Sequence, residues 1–213
     1  GFDNFPGQTH KRDYYPYDYF TTKYYHLNFS LNRSNEEIGI FNQDTILVDS
    51  VSYNLQLQDV SMGRKPDGSS NWFYFGEPTP NSSNITEGIL NTNFSEEPTI
   101  SLESGIYNST QNVTINSTNI NSIIKFTLDG SNPTTNSETY ISPIFIDKNS
   151  VLKVRVFEAN KLPSKIITKS YFVNENFSIP VISLSTQPNI LFDNSYGIYA
   201  NNFKEREIPI SVD

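Results

Sequence analysis

The stretch Phe126–Tyr140, FTLDGSNPTTNSETY, constrains the fold more than any other part of the chain. Phe126 and Leu128 alternate with Lys125 and Thr127, the period-two pattern of a strand with one buried face. Asp129-Gly130 then supplies the positive φ that a tight turn demands. Asn132-Pro133 blocks both a helix and a continued ladder. Composition carries the same message along the whole chain. Asn, Ser and Thr fill most polar positions and compete with helical hydrogen bonding, and aromatics reach 14% against only 18% charged residues, a mixture that favours strands and turns.

Periodicity predicts further strands. Tyr25, Leu27, Phe29 and Leu31 alternate with His26, Asn28 and Ser30, and Arg33-Ser34-Asn35 turns the chain into a strand through Ile38, Ile40 and Phe41. Asn42-Gln43-Asp44 turns again into a long strand, Thr45 to Tyr53. Pro66-Asp67-Gly68 is a turn before the strand Asn71 to Phe75, which carries the single Trp, Trp72. Residues 77–97, rich in Pro, Asn, Ser, Thr and Glu, read as a connecting segment with few apolar anchors. Beyond it, strands are predicted at 99–102, 112–116, 123–128, 150–158 and 166–173. In 150–158, Leu152, Val154 and Val156 form an apolar face, and Val151, Lys153 and Arg155 a wet one. A strand at 180–185, one helical turn at 190–192 and a strand at 207–212 complete the prediction. Residues 1–23, with DYYPYDYF at their centre, read as an aromatic arm or loop.

Several function classes are disfavoured. The chain has no Cys, so disulfide and thiolate-metal chemistry is absent. A net charge of −8 without a basic stripe argues against nucleic acid as a partner. No apolar run approaches the ~20 residues of a membrane span.

The segment Thr127 to Pro133 resembles the YTLDGSDPT signature of small β-sandwich modules at the C-termini of chitobiase and β-hexosaminidase enzymes. Ser104-Gly105-Ile106-Tyr107, Tyr140, Pro143-Ile144, the VLKVRVF strand, Leu162-Pro163-Ser164 and Tyr171 extend that resemblance over 98–173. It implies a non-catalytic module. Residues 24–84 resemble the lamin-tail domain, an immunoglobulin-like β-sandwich, through HLNFSLNRSNEEIGIF, ILVDSVSY and SMGRKPDGSSNWFYFGEPTPNSSN, with Asn81 where the family pattern has Gly. The resemblance starts after that family's usual opening strands, which implies a first sandwich incomplete at its N-terminus and a chain cut from a longer one. Residues 179–213 resemble the opening of a CotH-type domain (spore coat protein H, CotH kinase-like) through IPVISLST, Asn189 to Phe192, Gly197-Ile198-Tyr199 and EREIPISVD. The residues that bind ATP and metal in such kinases have no counterpart in these strands.

Individual residues sharpen this reading. Trp72 with Phe73, Tyr74 and Phe75 is a candidate sugar platform, but one face of such a strand must be buried, and Trp72 is expected in the core. Asp129, with Ser131 and Asn132 nearby, falls short of the six to eight oxygens that calcium takes and is expected to form an Asx-turn. His10 and His26 lie far apart with no acid at ligand spacing. Glu36-Glu37 reads as a solvated edge, and Glu96-Glu97 as part of the connecting segment. No Gly-rich phosphate loop is present.

The expected architecture is all-β: two tandem immunoglobulin-like β-sandwiches plus a short N-terminal part of a third domain. The expected segments are an aromatic arm (1–23), a lamin-tail-like sandwich (24–84), a linker (85–97), a chitobiase C-terminal-like sandwich (98–173) and the start of a CotH-like domain (179–213). No catalytic, cofactor-binding or metal-binding residue is predicted. The expected function is a structural, adhesive or spacer region of a larger exported bacterial protein, at the cell surface or secreted. Two alternatives stand beside it: the accessory region of a CotH-type atypical kinase, and a carbohydrate-binding module. Expected partners are a protein at an open sheet edge or other domains of a parent chain, and glycans.

Overall fold

A computed structural model describes residues 31–80, 82–195 and 197–202, together with 208 and 210–212. The aromatic arm 1–23, the predicted strand 24–30, His10 and His26 lie outside the described residues. The chain divides into two units, residues 1–90 and 91–213.

In the first unit, β1 (Glu36–Phe41) and β2 (Leu47–Tyr53) form an antiparallel ribbon. Residues 33–35 bend into β1, with Asn35 at φ 58°. The turn at the other end is built on Asn42. Its Oδ1 accepts the amides of Asp44 (3.0 Å) and Ile46 (2.9 Å), the Asx geometry that favours Asn in turns. The register shifts between Ile40 and Phe41, a bulge that twists the ribbon. At the base of the ribbon Tyr53 is buried, and its hydroxyl donates to Glu36 Oε2 (2.8 Å).

The second ribbon pairs β3 (Ser61–Arg64) with β4 (Trp72–Phe75) around the Pro66–Ser69 turn. There Ser69 N donates to Pro66 O, and Gly68 adopts φ 74°. The strand β3 was not legible in the sequence: SMGR has no alternation to betray it, and its pairing with WFYF creates it.

The boundary between the two units falls inside 77–97. Composition offers these residues few apolar anchors, but backbone and side-chain hydrogen bonds hold them. Ile89 exchanges both backbone hydrogen bonds with Tyr74 and is buried. Asn84 Nδ2 donates to Arg64 O (2.9 Å), and Thr86 Oγ1 donates to Glu77 O (2.8 Å). In the second unit, Leu162 N donates to Asn93 O, and Ser95 N donates to Leu162 O.

The second unit is built around a five-stranded sheet. Its strands are β6 (Gly105–Tyr107), β9 (Ile123–Thr127), β10 (Glu138–Thr139), β12 (Ser150–Phe157) and β13 (Ile167–Val173), in the order β10-β9-β12-β13-β6. Every pairing is antiparallel except that of β6 with β13. Two short ladders accompany the sheet: β5 (Thr99–Ile100) with β8 (Ile115–Asn116), and β7 (Gln111–Val113) with β11 (Ile144–Ile146). The strand predicted at 112–116 is thus two strands. Thr114 separates them, exchanging hydrogen bonds with Ser101, and each half joins a different ladder. The core gathers Phe126, Leu152, Val154, Tyr171 and Val173 from the sheet, and Val113, Ile115, Ile144 and Ile146 from the ladders. Two β-layers closing on one apolar interior make a sandwich. The molecule is all-β, as expected; the one described helix, α1 (Pro188–Phe192), is five residues long.

After β13 the chain returns to the sandwich. Ser183 Oγ donates to Ser170 Oγ (2.8 Å). The short β14 (Leu184–Ser185) pairs with β15 (Ser211–Val212), and Ser211 Oγ lies 3.2 Å from Thr168 Oγ1. The predicted strand at 180–185 shrinks to a two-residue piece, and among the described residues of 207–212 the strand is Ser211–Val212.

Candidate functional site

The turn after β9 and its neighbours on β12 bring several polar side chains together. Asp129 Oδ1 accepts both the amide (3.0 Å) and the hydroxyl (2.5 Å) of Ser131. These bonds hold the Asp129 carboxyl below its ordinary pKa, against a smaller opposing effect of burial. Asp129 therefore closes an Asx-turn, the role its sequence context predicts. Gly130 stands at φ 81°, and a Cβ there would lie 3.3 Å from Thr186 O. Glycine serves twice at this position, for the left-handed backbone and for the close approach of the returning chain. Pro133 is fully buried, and Thr127 Oγ1 donates to Ser131 O (2.6 Å), so the loop is tied to the strand that launches it.

Asn132 faces Lys153, and here the structure corrects the sequence reading. Lys153 is predicted on the wet face of β12, but only 4% of it is exposed. Periodicity correctly places it opposite Leu152 and Val154. It does not reveal that the chain returns over that face through β14 and β15. Lys153 Nζ donates to Asn132 Oδ1 (3.0 Å). Burial pushes the Lys153 pKa down, and the Asp129 charge partly restores it. Beside Lys153 lies a half-open cavity of about 130 Å³, lined also by Asn132, Ile166, Ser185 and Ile210. Ser185 Oγ is buried with no hydrogen-bond partner among the described residues. Sequence reasoning missed this locus, because its members come from five separate segments.

The other candidate residues fall elsewhere. Trp72 is half-buried rather than in the core; the fully buried member of its strand is Phe75. The Arg64 guanidinium sits 4.9 Å from the Trp72 ring centroid, because Arg64 and Trp72 are register partners. Arg64 Nη2 also donates to Asp49 Oδ1 (2.6 Å), which lowers the Asp49 pKa. One face of the indole is thus occupied by a cation. Glu36 is not a free edge carboxylate. It accepts hydrogen bonds from Tyr53 and from Asn32 N, which lower its pKa, while Glu37 is exposed. Glu96 accepts from Thr118 (2.6 Å), and Glu97 lies 3.5 Å from Lys165.

Several charged side chains of the second unit bind its own framework. Lys125 Nζ donates to Ser137 O (2.9 Å) and Thr139 Oγ1 (2.8 Å). Arg155 Nε donates to Ser164 O (2.8 Å). Glu158 accepts from Lys161 (2.9 Å) and from Asn119, and these bonds lower its pKa. Among the described residues no three of His, Cys, Asp and Glu converge to hold a metal, and no helix is long and apolar enough to cross a membrane.

No curated protein and no solved structure matches the chain. A family model does match the second unit, over the segment that contains the Asp129 turn, β12 and the start of β13: residues 102–168 match the chitobiase/beta-hexosaminidase C-terminal domain.

Proposed function

We propose that this chain is a non-catalytic structural, adhesive or spacer region of a larger exported protein. One observation carries the reading. In the matched module Lys125, Arg155 and Glu158 are spent on backbone and neighbouring side chains. A general acid or base must reach the proton it moves, and these groups are engaged in holding turns and strand ends. The match to a C-terminal domain of chitobiase and beta-hexosaminidase supports an accessory role. Export belongs to the same reading and rests on the resemblance of 24–84 and 179–213 to domains of surface proteins.

The test is an assay of the purified chain for glycoside hydrolysis and phosphotransfer, beside Lys125→Met and Glu158→Gln. The expected result is no turnover in any of the three, with lower melting temperatures in the variants. Turnover by the unsubstituted chain that one substitution abolishes would refute the reading. Fractionation of cells expressing the parent gene checks the exported location. The name of the matched family also puts glycans among the ligands to try, and a glycan array on the same protein decides that reading.

A further inference from the structure

We propose that the cavity between β12–β13 and the β14–β15 segment is a binding site for a single carboxylate, held by the Lys153 ammonium and the Ser185 hydroxyl. A lysine ammonium carries three N–H donors. That of Lys153 makes one described hydrogen bond, to the neutral amide oxygen of Asn132. The carboxylate acting on it from a distance, Asp129, is already held by Ser131. A charge buried to 4% exposure is costly unless it is paired and its donors are used. Ser185 lines the same cavity, and its hydroxyl is a second buried donor with no partner among the described residues. Two under-used donors on residues that line one space call for an acceptor with two oxygens.

The size and lining of the space narrow the class. About 130 Å³ is the volume of roughly four waters at ~30 Å³ each. That suits a carboxylate with the carbon attached to it and is too small for a run of sugar rings. One cation, partly offset by Asp129, balances a monoanion and not a phosphate dianion. Among the described residues no arginine lines the cavity to supply the fork that phosphates favour. Ile166 and Ile210 form an apolar wall for the carbon end of the ligand. The same chemistry could be offered by a free organic acid, a sugar acid or a peptide C-terminus.

The experiment follows thermal unfolding of the full chain at neutral pH and constant ionic strength, with chloride replaced by acetate, by glucuronate, or by a short peptide with a free or amidated C-terminus. The expected result is a saturable rise in Tm, roughly 5–10 °C at about a hundredfold excess over Kd. A response to acetate and glucuronate alike assigns the carboxylate alone. A response only to glucuronate, or only to the free-acid peptide, identifies the source and supports the site. Two variants test the assignment. Lys153→Met removes the charge and should abolish the response. Asn132→Asp sets a fixed carboxylate beside Nζ, so the fold should persist while the response disappears; it keeps the test valid if Lys153→Met does not fold. No saturable response to any of the acids, or a response retained by either variant, would overturn the proposal and leave the cavity to water.

Discussion

The β1–β2 ribbon and strand β12 carry comparably apolar runs but meet opposite fates. In the ribbon, Ile40, Phe41, Ile46, Leu47 and Val48 are between 52% and 64% exposed. In β12, Leu152, Val154 and Val156 are fully buried. Both stretches have the composition of strands, and both are strands. What separates them is a second layer. The face of β12 meets residues brought by two ladders from distant parts of the chain, while among the described residues the far half of the ribbon has none. Apolar periodicity therefore specifies that a strand forms and which face could be buried. Whether that face is buried depends on non-local topology.

The largest effect that could break this comparison is Leu152→Ala. Removing a side chain with no exposure should cost about 2–5 kcal/mol, read by chemical denaturation, whereas Leu47→Ala, at 52% exposure, should stay within about 0.5 kcal/mol. A large loss at Leu47 would mean that the ribbon is covered after all. Next comes Ser164, which is fully buried. Its Oγ accepts the Val156 amide (2.9 Å) and donates to Lys165 O (2.8 Å). Ser164→Ala should destabilise by about 1–3 kcal/mol, the cost of leaving a buried amide unpaired.

The two Asp-Gly turns sharpen the contrast further. Gly130→Ala combines a left-handed φ of 81° with a contact of 3.3 Å to Thr186 O, while Gly68, at φ 74°, has open space around it. Both should lose about 1–2 kcal/mol from the backbone alone, with Gly130→Ala the worse of the two in thermal unfolding. The smallest effect is on pH dependence. Hydrogen bonds depress the pKa of Asp129 through Ser131 and that of Asp67 through Ser83 and the Asn84 amide. A depressed carboxylate contributes stability that is full above its unfolded pKa of about 3.9 and is lost as pH falls through the folded value. Asp129→Asn and Asp67→Asn should each flatten the acid limb of the stability profile below about pH 4, without changing it at neutral pH beyond the loss of the turn bonds.

Strands whose alternation faces one core were legible in the sequence. The segments 123–127, 150–157 and 167–173 appear within a residue or so of where the pattern puts them, and the Asp129 turn follows from its own side-chain chemistry. The short pieces β6, β10 and β11 were not, because they are defined by their partners rather than by any period of their own. Trp72 shows a second limit. Alternation separates Trp72 and Tyr74 from Phe73 and Phe75 without saying which pair faces inward, and a register partner, Arg64, decided what covers the indole. Lys153 shows a third. A charged residue at a solvent-facing position was buried by a segment some thirty residues further on, and the cavity beside it exists only because that segment returns.

The parallel pairing of β6 with β13 has a kinetic consequence. Ser170 N donates to Ser104 Oγ across 66 positions of chain, and Gly105 lies opposite Tyr171 in the ladder. Non-local pairing of this kind must close a long loop before any contact repays the entropy. During synthesis at ~5–20 residues per second, the edge of β6 waits roughly 3–13 s for β13 to emerge. Through that interval Ile106 and its neighbours are an open strand on a nascent chain, a template to which a second nascent chain could add. Spacing between ribosomes on the message, as much as the strength of the finished core, then sets how much of this module is recovered as monomer.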